Sequence, residues 1–372
     1  MESDDNERKP AIVIDPGSCF VKAGFAGEYE EPKSVFRTCV GYSKSNDEFF
    51  IGRDAETKKE DLLKLNYPIK QGFIENWDDM EKILNNIFIY QLLADPSEHN
   101  IMFTQQLMNP KDKKEGLAQI MFETFNVPGL YLAYSTQCSL LASGKFTGVS
   151  IELGGDTTQI CPFVDSNPKP YTFEELYYGG NSITDYLFRL FNENCKMFYN
   201  SKYKSYIEDI KEKSCYVAFD FEDEFGMVES YDYILPDNEN LIVREERFKA
   251  PEVIFKPSLL DKDEEMSLPL ICNKLIKKFA DEKKELYNSI ILSGGNSMFK
   301  GLGDRLKREM KALANEEFKE EVSVINSPER KFNAWIGAGI LSNILKDKWI
   351  TKEMYEESGS SIIYKEDILA LK

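Results

Sequence analysis

The sequence predicts a duplicated α/β fold in two domains. Two stretches, Ile12–Gly24 (IVIDPGSCFVKAG) and Val149–Val164 (VSIELGGDTTQICPFV), repeat one pattern about 137 positions apart. Each has a β-branched apolar run, an acid, a glycine-bearing turn and a return run. Between and beyond them strand-like and helix-like periodicities alternate with no low-complexity linker, which is the pattern of packed α/β units. At 372 residues the chain exceeds the length at which one core usually keeps growing.

Taken in order, residues 11–40 alternate apolar and small residues with turns and predict a short antiparallel meander. A polar stretch follows at Tyr42–Glu48. Apolar residues at helical spacing predict helices over Asp78–Leu93 and Lys113–Phe125, and another opening at Thr184–Phe191 after Gly179-Gly180. Asp261–Glu265 is a charge run expected in a solvated loop, and Lys277–Glu285 predicts a helix of mixed charge. Ser289–Leu292 predicts a strand that breaks at Ser293-Gly294-Gly295-Asn296 into a helix over Met298–Leu313. A glycine turn feeding a helix start suits a phosphate, because the first helical N–H groups are free.

The two hairpins point the same way. A triphosphate needs inward backbone N–H groups, which Gly17 and Ser18 in one turn and Gly154 and Gly155 in the other can supply. It also needs acids to hold a hydrated Mg2+. One such hairpin alone is an ordinary strand-turn-strand signature; the pair together with the third glycine turn points to nucleotide.

Composition excludes several classes. A net charge of −18 opposes nucleic acid or an anionic membrane as the main partner. Seven scattered cysteines form no CxxC pair and favour a reducing compartment over a disulfide framework or structural zinc. The first ten residues, MESDDNERKP, are acidic and lead into a strand, and no apolar run nears the roughly 20 residues that span a bilayer. The chain has one histidine, His99, in a polar turn expected at the surface. Histidine triads and HExxH zinc chemistry are therefore excluded. The 25 Phe and 19 Tyr are dispersed, as core packing requires.

Six segments resemble the actin and actin-related family over nearly the whole chain: Asp15–Gly27 (DPGSCFVKAGFAG), Tyr67–Lys82 (YPIKQGFIENWDDMEK), Ile120–Val127 (IMFETFNV), Ser293–Gly301 (SGGNSMFKG), Pro328–Gly339 (PERKFNAWIGAG) and Trp349–Gly359 (WITKEMYEESG). The resemblance implies the two-lobed α/β fold shared by actin, hexokinase and Hsp70, with duplicated RNase H-like halves and ATP or ADP and Mg2+ (or Ca2+) between the lobes. It implies four subdomains: 1–36 with 69–142 and 333–372, then 37–68, then 143–178 with 263–332, and 179–262. Carried over residue by residue, Asp15 matches the metal-facing acid, Ser18 a phosphate-contacting hydroxyl and Lys22 the phosphate lysine. Gly17, Gly154, Gly155 and Asp156 complete the phosphate turns. Gly180, Lys211 and Glu212 match adenosine-side positions, Gly294, Gly295, Met298 and Phe299 the adenine shelf, and Lys331 a lysine near the base.

The departures from the family pattern bear on catalysis. The family's water-positioning glutamine falls at Ser135, while Gln137 lies two residues on, about 200° around a helix. The histidine of the second hairpin becomes Gln159, and its first acid becomes Glu152, which would meet the metal through water. Cys19 and Pro16 also alter the first turn. Slow or absent hydrolysis is expected, because this chemistry is mostly positioning, unless Gln137 or Gln159 assumes the water role. The loop between Gly41 and Gly52 is shorter than the family's subunit-gripping loop, and Leu259-Leu260 is followed by charges where the family has an apolar plug. The groove in which family partners insert amphipathic helices is matched by Leu141, Ala142, Gly144, Ile336, Ile340, Leu341 and Ile344, with Phe146 in place of a smaller residue. These features imply a nucleotide-loaded structural subunit of a cytoskeletal or axonemal assembly in the cytoplasm, binding cytoskeletal proteins through that groove and neither nucleic acid nor membrane. The alternatives are a conventional filament-forming ATPase and a subunit of a nuclear chromatin-remodelling complex.

Overall fold

The computed structural model describes residues 9–27, 31–44, 48–58, 62–169, 171–194, 204–235, 238–345 and 348–364. Part of the polar 42–48 stretch, the first eight residues and Cys195 lie outside them. The chain divides into two compact units. One comprises residues 1–146, 165–170 and 332–372, and the other 147–164 and 171–331.

The first unit is built on a six-stranded sheet in the order Ile350–Thr351, Gly129–Tyr134, Ile101–Gln105, Ile12–Pro16, Phe20–Phe25, Ser34–Arg37. The last three strands form the expected antiparallel meander. Ile12–Pro16 runs parallel to Ile101–Gln105, which runs parallel to Gly129–Tyr134. Successive residues of the central strand enter different cores. Ile12 and Ile14 pack with Met80, Ile83, Phe88, Leu117 and Phe122, whereas Val13 packs with Met102, Cys138, Trp335 and Ala338. Burial on both faces is what a parallel sheet flanked by helices requires. A smaller three-stranded sheet, Phe49–Ile51, Val40–Ser43 and Leu62–Asn66, stands apart from it.

The second unit repeats that plan. Gly148–Leu153 is antiparallel to Thr158–Val164 and parallel to Ile290–Ser293, which is parallel to Val324–Ile325. Glu174–Leu176 closes the other side antiparallel to Thr158–Val164. Ile12 and Val149 thus hold equivalent ladder positions, as do Asp15 and Glu152, and Lys22 and Gln159. One continuous core runs from Val149 through Leu187, Leu275 and Leu292 to Leu306.

Several expected boundaries shift. The helix expected over Asp78–Leu93 is α-helical only at Trp77–Asn85 and then widens into a π-helix at Asn86–Leu92; the helix at Lys111–Gln119 does the same over Ile120–Thr124. The helix expected over Met298–Leu313 opens at Leu302, because Gly301 sits in the left-handed region at φ 81° and a short 3-10 turn, Gly295–Met298, precedes it. The mixed-charge helix expected over Lys277–Glu285 is helical at its two ends but interrupted at 278–282, between Leu268–Lys277 and Lys283–Asn288. There the last turn tightens, with the Lys278 and Phe279 N–H groups donating to Leu275 and Ile276, and Phe279 turns into the core. His99 is buried rather than exposed: its ring lies 5.4 Å from that of Phe25 and its Nδ1–H donates to the Pro10 carbonyl at 2.8 Å.

Candidate functional site

In the first unit, Asp15 and Lys22 are directly opposed across the Gly17 hairpin. The Lys22 ammonium donates to one Asp15 oxygen at 2.7 Å and the Thr104 hydroxyl to the other at 2.5 Å. Thr104 comes from the parallel neighbour strand, so its place beside Asp15 is set by a crossover and no local motif announces it. The turn is tied by the Gly17 N–H to the Phe20 carbonyl and by the Thr38 hydroxyl to the Gly17 carbonyl, 2.9 and 2.7 Å. The Ser18 hydroxyl accepts the Gly72 N–H at 3.2 Å, which links the hairpin to the turn between Ile69–Lys70 and Phe73–Ile74.

In the second unit, Glu152 opposes Gln159 across the Gly154-Gly155 turn. That turn is docked on two further elements. Its Gly154 carbonyl accepts both the Gly180 N–H and the Asn296 side-chain amide, at 3.0 and 2.7 Å, and the Gly155 carbonyl accepts the Asn181 N–H at 2.7 Å. Asn181 also donates to Asp156 at 2.7 Å. The structure thereby gathers Gly154, Gly155, Asp156, Gly180 and the Gly294–Asn296 turn, six of the expected positions, with two asparagines, Asn181 and Asn296, that spacing did not single out. Asn296 was visible in the sequence only as the residue after Gly294-Gly295.

Lys211 is buried and its ammonium donates to the Gly180 carbonyl at 3.0 Å and contacts the Thr184 hydroxyl at 2.9 Å, so it fastens the start of the helix Gly180–Asn194. Its neighbour Glu212 is exposed. Phe299 is buried and Met298 part-exposed, while Gly295 has open space before its backbone, with no atom within 4 Å of where a Cβ would stand. Lys331 is exposed, and it is Arg330 that grips the 3-10 turn by donating to the Ser297 carbonyl at 3.0 and 3.1 Å.

The candidate water-positioning groups differ. Ser135 is buried at the first position of the helix Ser135–Ala142. Gln137 is buried on the same helix, and its amide donates to the Ser166 carbonyl at 2.9 Å, anchoring a turn in which Asp165 and Ser166 both have positive φ. Gln159 is 3% exposed; its amide donates to Glu175 at 3.1 Å, and among the described residues its carbonyl oxygen has no donor.

Taken by itself, each unit offers a glycine turn with one acid, a chemistry that suits a phosphate with a hydrated cation. Among the described residues no group of three or more His, Cys, Asp or Glu could cage a metal. Single acids such as Asp15 and Glu152 suit a Mg2+ that keeps its waters and takes its other ligands from phosphate. Gly295 leaves its backbone open for a flat ligand.

The groove positions lie on the first unit. Trp335, Ala338 and Leu341 of the helix Asn333–Ile344 are buried, and Gly337 packs on the Cys138 carbonyl of the helix Ser135–Ala142. Ile336, Ile340 and Ile344 lie one helical step apart on another stripe, which becomes more exposed along the helix, and Ile344 is 62% exposed. Leu141 is buried and Phe146 is 63% exposed. The Leu259-Leu260 pair is half-buried against its own unit's core, and Arg189 donates to the Leu259 carbonyl at 2.5 Å. No helix among the described residues is long and apolar enough to cross a membrane. The family model described as actin matches residues 6–367, nearly the entire chain, and the chain therefore belongs to the actin family.

Proposed function

We propose that this actin-family chain binds ATP or ADP with Mg2+ (or Ca2+) and works as a nucleotide-loaded structural subunit with slow hydrolysis. Each unit offers a hairpin in which an acid, Asp15 or Glu152, stands at the same ladder position beside a glycine turn. When bound, a divalent cation would draw charge from the phosphate oxygens. Lys22 would add a second positive charge, and the docked Gly154-Gly155 turn would keep its backbone fixed.

The observation that carries slow turnover is the fate of the glutamines. The position matched to the family's water-positioning glutamine is a buried serine, Ser135, and the amide of Gln137 is spent on the Ser166 carbonyl. A nearby amide aimed elsewhere costs about 10²-fold or more in this chemistry. Inward packing of Leu259-Leu260, next to the 261–265 charge run, supports a subunit in a mixed assembly over a free homopolymer, because burying those charges between copies would be costly. The part-exposed stripe Ile336, Ile340 and Ile344 with Phe146 supports a partner that docks an amphipathic helix, in a cytoplasmic cytoskeletal or axonemal setting.

The test is to release and identify the nucleotide held by native protein, then to follow phosphate release over hours with ATP and Mg2+. Retained ATP with turnover far below that of a filament-forming ATPase is expected. Rapid steady phosphate release would restore the conventional ATPase, and an empty protein that takes up no nucleotide would refute binding.

A further inference from the structure

Four residues of the second unit stand in one row across its sheet. Ser293 opposes Glu152, Glu152 opposes Gln159, and Gln159 opposes Glu175, each pair in direct register. Residues in register share a face and touch across the strands. At the end of this row the Gln159 amide nitrogen donates to Glu175 Oε1 at 3.1 Å.

An amide has a donating arm and an accepting arm, and a carboxylate only accepts. With Glu175 beside it, Gln159 must turn its NH2 toward the acid, since the flipped amide would set oxygen against oxygen. The other arm is then a carbonyl oxygen in a residue 3% exposed, and no donor among the described residues reaches it. A buried acceptor without a donor costs about 1–3 kcal/mol, so this oxygen calls for an O–H or N–H from outside the chain.

We infer that Glu175 is a positioning residue that locks the Gln159 amide so that its carbonyl oxygen accepts a hydrogen bond from the water that attacks ATP. This rests on the nucleotide-binding reading above and assigns its residual turnover to Gln159. A water that donates one O–H to Gln159 keeps a lone pair for the phosphorus. Its oxygen bonds to the terminal phosphorus, the bond from that phosphorus to the bridging oxygen breaks with its electrons passing to ADP, and the water's protons end on inorganic phosphate and solvent. Burial raises the Glu175 carboxyl from its ordinary value, and the Gln159 hydrogen bond opposes that rise.

The test has two readouts on the full chain. In 15N-labelled protein, the Gln159 side-chain amide is identified by its loss in Gln159→Leu. Its exchange with solvent should be about tenfold slower in wild type than in Glu175→Met. In protein loaded with Mg2+ and ATP, single-turnover phosphate release should fall about tenfold in Glu175→Met while ATP affinity holds within about twofold. Glu175→Gln, which keeps an acceptor, should recover most of the rate, and the Gln159→Leu/Glu175→Met pair should be no slower than Gln159→Leu alone. If Glu175→Met fails to fold, the comparison rests on Glu175→Gln in wild-type and Gln159→Leu backgrounds. Equal exchange rates, unchanged turnover in Glu175→Met, or additive losses would overturn the inference while leaving nucleotide binding intact. Failure of wild type to take up a fluorescent ATP analogue would overturn the nucleotide reading itself, and the inference with it.

Discussion

The Lys22 ammonium meets the Asp15 carboxylate at 2.7 Å directly across the first hairpin, and the equivalent ladder pair of the second hairpin is Glu152 and Gln159. The duplicated fold thus places a carboxylate and a hydrogen-bonding partner at the same point twice. In the first hairpin the partner is charged and close. In the second it is a neutral amide whose donor is committed to the next strand, at Glu175. The two halves share a backbone plan and differ in the charge they present.

Removing the cation from the first pair should be felt in stability. Asp15 is buried and accepts from Lys22 and Thr104, so losing Lys22 leaves it the Thr104 hydroxyl. Lys22→Met is expected to cost about 1–3 kcal/mol, below the value for a fully buried pair because the lysine is partly solvated. Urea unfolding checks this, and a loss under about 0.5 kcal/mol would mean that water already screens the pair.

Glu175 should leave a pH signature. Burial raises its carboxyl from the ordinary value of 4.5, against the smaller lowering by Gln159. A carboxyl that holds its proton more tightly in the folded state stabilises most below the unfolded value and loses that contribution as pH rises through the folded one. Glu175→Gln stays neutral throughout, so its stability relative to wild type should improve as pH climbs from about 4.5 toward neutrality. Denaturant midpoints of both proteins across that range decide it; a constant difference would mean the carboxyl is not destabilised by burial.

The hairpins were legible because their signals are local: β-branched runs, one acid and a glycine turn within about a dozen residues. The helix from Trp77 was legible from its apolar spacing. Its π-helical continuation was not, since over the seven residues Asn86–Leu92 the apolar pattern is too short to tell an α from a π turn. His99 read as a surface turn residue because its partners, Phe25 and the Pro10 carbonyl, lie far away in sequence. The same limit hid Thr104 and Glu175, which reach their acid and amide through strand pairing. Lys211 was singled out for a ligand role by resemblance, and what the structure adds is its grip on the Gly180 carbonyl, which periodicity cannot convey.

Asp79 is a hub with a testable mechanical role. It is fully buried, and its carboxylate accepts from Asn66 and Asn76 at 2.8 and 2.7 Å and from the Tyr42 hydroxyl. Tyr42 and Asn66 lie on the small three-stranded sheet, and Asn76 caps the helix Trp77–Asn85. Asp79→Ala leaves three half-buried donors without their acceptor and should cost about 2–4 kcal/mol. Hydrogen exchange should accelerate first in Val40–Ser43 and Leu62–Asn66, and uniform acceleration across the unit would show that Asp79 serves the core and not the sheet.

The helix Asn333–Ile344 separates packing from recognition on two of its stripes. Gly337 lets its backbone reach the Cys138 carbonyl; a Cβ there would stand 1.7 Å from that oxygen, and the neighbour is rigid helical backbone. Gly337→Ala must push the two helices apart and should cost more than about 4 kcal/mol, or prevent folding. Ile344, on the exposed stripe, has little packing to lose, so Ile344→Asp should change stability by less than about 1 kcal/mol. The same substitution places a charge where an amphipathic helix would lay its apolar face, and should weaken a helical partner peptide at least tenfold, or about 1.4 kcal/mol. Thermal unfolding and peptide titration on both variants separate the effects. If Ile344→Asp unfolds the chain, the stripe belongs to the core; if it is stable and binds as wild type does, the docking surface lies elsewhere.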